Sequence, residues 1–309
     1  TGIFCDPHEV GNVAGMEGVR AMFDDARRTP LKAMMTPPSC VPAVTGVEDT
    51  GAEITAADIA DSMAWDNVVG LGEMMNFPGI LAGEKNAVDE VRETLKADRV
   101  VTGHFPSPDR DRGLNAYVAA GVSSCHESGG FDEVLAKLRL GMYVQLRQGS
   151  AWLNLPGYLP QLVASGVDTR LCLLCSDDNH PHTLVDEGHM DRILRTAVEL
   201  GLDPVTALQM ATINCAQYFG LAHDMGSITP GKCADIVLLD DLEGFHARKV
   251  FIDGELVAED GRALFSPSPY EWPDFMTHTM RLGFVPTPET FRFDACGRAD
   301  GTARVRAMG

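Results

Sequence analysis

A (β/α)8 barrel short of its first strand is the fold these 309 residues predict. Three observations lead there. Short apolar runs alternate with amphipathic ones, the pattern of parallel βαβ units. Seven runs read as strands, at 1–6, 31–36, 68–73, 99–104, 122–126, 142–147 and 169–176. Polar, chemistry-bearing residues stand at the carboxyl ends of several of them, where α/β barrels keep their active sites. A doubly wound sheet could stop at seven strands, but it gathers ligands at one switch point rather than on four separate strand ends.

The chain begins without Met and runs almost at once into the strand-like TGIFC, as if cut. Asp6-Pro7-His8-Glu9 follows directly and reads equally well as a capped turn or as groups behind a reaction centre. Thr55 and Asp58, ahead of Ile59 and Met63, resemble a capping box. The stretch 68–76, VVGLGEMMN, ends an apolar run at a carboxylate, Glu73. Val88, Val91 and Leu95 mark one helix, and Phe131, Val134, Leu135 and Leu138 another at i, i+3, i+4, i+7. Met190, Ile193, Leu194, Ala197 and Val198 mark a third, ending at Gly201. Asp203-Pro204 opens the next, with Asp as N-cap and Pro in the first position.

Past residue 222 the pattern changes. Ile236 to Leu239 reads as a short strand, and 249–251 and 256–258 flank Asp253-Gly254, a hairpin signal. The expected organisation is a barrel over 1–222 (strands two to eight) and part of a small β-sandwich domain over 223–265. Residues 266–309, proline-bearing and without periodicity, are expected to be a linker or the start of a truncated further segment.

Composition narrows the partners. Hydrophobic residues make up 45% and charged ones 22%, ordinary for a globular chain. The formal charge of −19 repels nucleic acid and anionic membranes, so neither is expected as a partner. A small neutral molecule or a cation is the easier ligand. The eight cysteines lack the close spacing of a disulfide framework, which suggests buried thiols in a cytoplasmic protein. Cys172 and Cys175 form a C-x-x-C, but on a strand residues three apart face opposite sides, so core packing is the expectation.

Glu73, His104, His126 and Asp177, with Asp178 beside it, each end a hydrophobic run. Any one alone would read as a hydrogen-bonded or solvated side chain. Four such groups on different strands, aimed at one mouth, read as a metal site. A mixed imidazole–carboxylate set suits zinc, iron or manganese better than calcium or magnesium. His180-Pro181-His182 lies among polar loop residues and is expected in a surface or mouth loop. Gly70-Leu71-Gly72 lacks the rest of a dinucleotide fingerprint. Ser123, Ser124 and Ser150 lack a G-x-S-x-G context, leaving a serine hydrolase unsupported.

Taken together, DPHEVGNV (6–13), PSCVPA (38–43), GLGEMMNFPG (70–79), TGH (102–104), AAGVSSCHE (119–127), LCSDD (174–178), EGHMD (187–191) and MATINCAQYFGL (210–221) closely resemble the microbial adenine deaminases of the amidohydrolase superfamily, over roughly 1–265. In that superfamily H-x-H on the first strand, an acidic residue or modified lysine on the fourth, histidines on the fifth and sixth and an aspartate on the eighth hold metal. By that pattern Glu73 resembles the fourth-strand ligand, His104 the fifth, His126 the sixth and Asp177 the eighth. The H-x-H expected upstream of DPHE is absent from these residues, so a relative or fragment truncated at both ends is expected.

The resemblance implies hydrolytic deamination of adenine to hypoxanthine and ammonia, with one or two divalent transition ions (Mn, Fe or Zn). A metal-activated water would attack C6. Asp177 would act as base and then acid, and Glu9 or His8 would protonate N1. Asp6, Asp178 and Asn76 would contact the ring or support the ligands. A purine base is the implied partner, and a homo-oligomer is compatible with it. Two other readings stay open: a different amidohydrolase acting on a cyclic amide or aminopurine, and a non-catalytic paralogue that binds a ligand or partner.

Overall fold

Seven short strands, parallel wherever they pair, run in chain order: β1 (Gly2–Cys5), β2 (Lys32–Met35), β3 (Gly70–Met74), β4 (Val100–Gly103), β5 (Ser124–Cys125), β6 (Tyr143–Arg147) and β7 (Cys172–Cys175). The computed structural model describes residues 1–44 and 46–292. Each strand lies inside its expected run except β3, which continues one residue further to Met74. β1 pairs with β2, β3 with β4, β5 with β6 and β6 with β7. The seams between these groups are also bonded. Met35 bridges Val68, and the Ser123 amide donates to the Val101 carbonyl at 3.0 Å. The order never reverses, so these strands do not wind outward from a switch point.

Alternation along the strands separates two apolar layers. Met35 joins Val19, Phe23 and Ile59 on the helical side. Met34 packs inward with Phe4, Val69, Leu173, Tyr218 and Phe219. Phe4 and Phe219 stack with centroids 3.9 Å apart, and the Tyr218 hydroxyl donates to the Val101 carbonyl. In β7, Cys172 and Leu174 face the helical layer while Leu173 faces inward. Both cysteines of the C-x-x-C are free thiols. Burial raises both, Cys172 to about 12.

Helices fill the connections, and their ends follow local chemistry. Thr55 and Asp58 form a reciprocal capping box at the start of Ala56–Ser62. Asp203 accepts from the Thr206 amide ahead of Pro204–Ala211. One helical face differs from expectation. In Lys85–Lys96 the buried residues are Ala87, Glu90, Val91 and Thr94, while Leu95 is 47% exposed. The i, i+3, i+4, i+7 stripe is set one residue back from the apolar residues, because Ala56–Ser62 packs there and takes Glu90 with it. In Phe131–Arg139 a lysine, Lys137, is buried beside Val134.

An antiparallel sheet follows: β8 (Ile236–Leu239), β9 (Ala247–Ile252), β10 (Glu255–Glu259) and β11 (Arg262–Ala263), in chain order. Asp253 and Gly254, with φ 50° and 85°, make the tight turn between β9 and β10, as the Asp-Gly pair predicts. Lys32 at the start of β2 ties this sheet to the parallel strands through Asp235 at 2.7 Å and Asp253 at 2.6 Å. Beyond it, Arg28 donates to Ser268 and its guanidinium covers the Tyr270 ring. The remainder of the expected 266–309 segment past residue 292, Cys296 included, lies outside the described residues. No helix among the described residues is long and apolar enough to cross a membrane.

Candidate metal centre

Glu73, His104 and His126 reach one point from the ends of β3, β4 and β5. His126 Nε2 lies 2.8 Å and His104 Nδ1 3.1 Å from Glu73 Oε2, and the two ring nitrogens are 3.2 Å apart. Two ligands about 2.1 Å from one ion at a tetrahedral angle stand roughly 3.4 Å apart. The three donor atoms therefore already have nearly the spacing that a small divalent ion requires. The carboxylate's charge state agrees. Burial acts to raise the Glu73 carboxyl, but hydrogen bonds from His104 and His126 overcome it and hold the group well below the usual carboxylate range. Burial likewise acts to lower His126, yet Glu73 holds it above its ordinary value.

Buried neighbours fix these side chains. The Tyr117 hydroxyl donates to the Met74 carbonyl at 2.6 Å and accepts from the His104 amide at 3.0 Å, riveting the end of β3 to the end of β4. Gly72 and Gly103 sit directly before Glu73 and His104 because the backbone is crowded there. A Cβ on Gly72 would meet Asp6 Oδ1 at 2.5 Å and the Thr36 carbonyl at 2.6 Å; one on Gly103 would meet the Ser124 carbonyl at 2.5 Å. This close approach is what the Gly-Leu-Gly run provides. It lets an Asp6 oxygen accept from the Glu73 amide, so Asp6 holds the backbone at Glu73. Lys137 Nζ donates to the Glu127 carbonyl and to Ser128 Oγ, pinning the turn after His126.

A second group shares His126. Glu127 Oε1 and Asp177 Oδ2 each lie 3.9 Å from His126 Nε2, and Arg147 at the end of β6 bonds to both carboxylates. Asp177 adopts φ 55°, an uncommon conformation for a residue with a side chain. Its Oδ1 accepts from the Asp178 amide at 2.7 Å.

The other expected residues are placed as follows. His8 Nδ1 is 2.7 Å from Asp6 Oδ1, while its Nε2 is buried without a hydrogen-bond partner. Burial acts to lower His8, but Asp6 outweighs it and the imidazole rises to about 9. Glu9 is exposed in the first turn of His8–Ala26, and its charge acts on both His8 and Asp178. Asp178 is raised by burial first and then by Asp177. Asn76 is engaged as the N-cap of Phe77–Ala82, accepting from the Gly79 amide at 2.9 Å. His180 and His182 are exposed. Glu127, Arg147, Tyr117 and Lys137 were not among the expected site residues. Arg147 stood at a strand end like the others and could have been read by the same rule; Tyr117 and Lys137 carry no such signal.

Comparison with known proteins identifies the family. The family model described as the amidohydrolase family matches residues 1–257. An adenine deaminase of Clostridium botulinum (strain Loch Maree / Type A3) is 52% identical over 304 residues, 98% of this chain and 51% of that protein. An adenine deaminase of Moorella thermoacetica is 47% identical over 99% of this chain and 51% of that protein. The similarity thus continues past residue 265, and the chain spans about half the length of the curated relatives it matches. Among solved structures, the β-aspartyl dipeptidase of Fervidobacterium islandicum AW-1 superposes with a TM-score of 0.60 at 18% identity, covering 86% of this chain and 75% of that one. Strand order, clustered strand-end ligands and the family match lead to one assignment: this chain belongs to the amidohydrolase family.

Proposed function

We propose that the protein deaminates adenine hydrolytically to hypoxanthine and ammonia, at a metal held by Glu73, His104 and His126. The observation that carries this reading is the meeting of one carboxylate and two imidazoles from three successive strand ends, with all donor atoms within 3.2 Å of one another. The two relatives named above are adenine deaminases, and adenine is the substrate proposed here. The donor set suits manganese, iron or zinc, as one ion or two. When bound, the metal polarises and acidifies a water.

Asp177 accepts a proton from the attacking water as the C6–O bond forms and returns it to the amine as the C6–N bond breaks and ammonia leaves. The remaining C6 hydroxyl proton departs through solvent as the carbonyl forms, and His8 regains its proton from solvent. His8 supplies a proton to ring nitrogen N1 from its unpartnered Nε2, with Asp6 keeping the imidazole charged. Glu9 is the other candidate for that role. Asp178 and Asn76 contribute to the wall around the ring. We read 1–222 as the barrel portion, 223–265 as part of a small β domain and 266–309 as a linker or the start of a further segment.

The test is metal content together with ammonia release from adenine, guanine, cytosine and a hydantoin. It is run on the 309-residue chain and on the longest chain its gene encodes. Release from adenine alone is expected, and Asp177→Asn should lower turnover at least 100-fold with the fold intact. Near-normal turnover in that variant would remove Asp177 from the chemistry, and ammonia from another substrate alone would reassign the reaction.

A further inference from the structure

A purine is flat and its two faces are apolar, so a site that takes one supplies an apolar or aromatic wall. The groups gathered at the centre supply none, because Glu73, His104, His126, Glu127, Arg147 and Asp177 are all engaged in polar contacts. The aromatic residues beside the ligands are packed elsewhere. Phe105 and Tyr117 are 2% and 0% exposed, and Phe77 meets Phe105 edge-on with centroids 5.1 Å apart. Trp152, by contrast, is tied to the centre and open. It is 58% exposed, and the Arg147 guanidinium lies over its ring, 5.5 Å from the centroid. The same guanidinium donates to Asp177 Oδ2 at 2.6 Å, so two contacts separate the indole from Asp177.

Exposure alone says little about a surface tryptophan; the way this one is held says more. Residues 148–153 form a tight hairpin in which Gln148 bridges Leu153 and the Gly149 amide donates to the Trp152 carbonyl at 3.1 Å. The hairpin is fastened to the loop after β7. The Ser150 amide donates to the Asp178 carbonyl at 3.0 Å, while Ser150 Oγ accepts from the His180 amide at 2.8 Å and donates to Thr183 Oγ1 at 2.9 Å. A Cβ on Gly149 would meet the Ser176 and Asp178 carbonyls, each at 2.7 Å, so a glycine is what permits this approach. An aromatic ring carried on backbone held this firmly can receive a planar ligand with little ordering left to do.

We propose that Trp152 is the stacking wall for the substrate's base: the purine lies against the indole while its C6 edge faces Asp177. The inference deepens the deaminase reading above and rests on it. Trp152 takes no part in the bond changes. It holds the ring, and Arg147 sets the spacing between that ring and the residue that moves the proton.

The experiment uses the longest chain the gene encodes, with Trp65 and Trp272 replaced by phenylalanine so that Trp152 alone fluoresces. Purine itself, which has no amine to lose, is the probe, and its affinity is measured in parallel by calorimetry. Purine should quench Trp152 saturably, with the dissociation constant that calorimetry gives. Trp152→Ala should weaken purine binding roughly 5- to 100-fold, the range of base–aromatic stacking, and the loss with adenine should fall on KM more than on kcat. Trp152→Phe should recover most of the affinity and Trp152→Leu little of it, because leucine keeps the apolar contact without the ring. Melting curves confirm that the variants fold. Trp152→Ala binding purine as tightly as wild type, a fall in kcat with purine affinity unchanged, or Trp152→Leu matching Trp152→Phe would each overturn the stacking role while leaving the deaminase standing. A chain that neither binds purine nor releases ammonia from adenine refutes both together.

Discussion

Glu90 should make this protein lose stability as pH rises through neutrality, and Glu90→Gln should restore it. The carboxyl lies in Lys85–Lys96 against Ala56–Ser62 and is 1% exposed. Its only side-chain partner among the described residues is Asn86, whose Nδ2 donates to Oε1 at 2.9 Å. Burial drives its pKa from the ordinary 4.5 up to about 9; the Asn86 bond opposes this, and the charges of Glu84 and Asp58 add to it. The unfolded chain therefore ionises near pH 4.5, while the folded one keeps its proton to about pH 9. Between those values the unfolded state binds fewer protons, so stability falls with rising pH and levels off above the folded pKa.

Each pH unit in that window costs up to about 1.4 kcal/mol, or roughly 3 kcal/mol by pH 7 as an upper bound, because a buried site relaxes around its charge. At about 2–4 °C per kcal/mol for a domain of this size, the melting temperature at pH 7 should lie roughly 6–12 °C below that of Glu90→Gln. The amide matches the neutral acid in shape and still accepts from Asn86. Melting curves of both proteins from pH 4.5 to 9 are the assay. The two curves should coincide at the acid end and diverge steadily above it. Parallel curves across the whole range would show that Glu90 ionises without penalty, and the argument from burial would fail.

Two further perturbations test how the ligands are held. Tyr117→Phe leaves the His104 amide and the Met74 carbonyl without their buried partner, which should cost about 1–3 kcal/mol. It should also weaken manganese affinity roughly 10- to 100-fold, as losing a supporting hydrogen bond behind a ligand commonly does; unchanged affinity would mean that the rivet plays no part at the centre. Gly72→Ala places a methyl 2.5 Å from Asp6 Oδ1 and 2.6 Å from the Thr36 carbonyl, an overpacking of about 1–3 kcal/mol. Since it displaces Asp6 from the Glu73 amide, calorimetric titration with manganese should show at least roughly tenfold weaker binding. A variant that melts and binds like wild type would refute the close approach.

The sequence by itself determined the alternation of strands with helices, the caps at Thr55 and Asp203 and the Asp253-Gly254 turn. Those follow from bonds spanning three or four residues, and apolar periodicity reports them directly. It also nominated Glu73, His104, His126 and Asp177, because a polar residue ending an apolar run is a local signal. Only the tertiary structure decided what those residues meet. Leu95 lies at the surface and Glu90 inside because another helix chooses the face of Lys85–Lys96, and a periodicity count cannot see that neighbour. Tyr117 looks like an ordinary core aromatic until its hydroxyl is found between two strand ends. Arg147 reads as one more charge in a chain of net charge −19, and its place between Glu127 and Asp177 arises only when β5, β6 and β7 lie side by side. Such contacts join residues 20 to 43 positions apart: the chain specifies the donors, and the packing of separate strands sets the distances on which their chemistry depends.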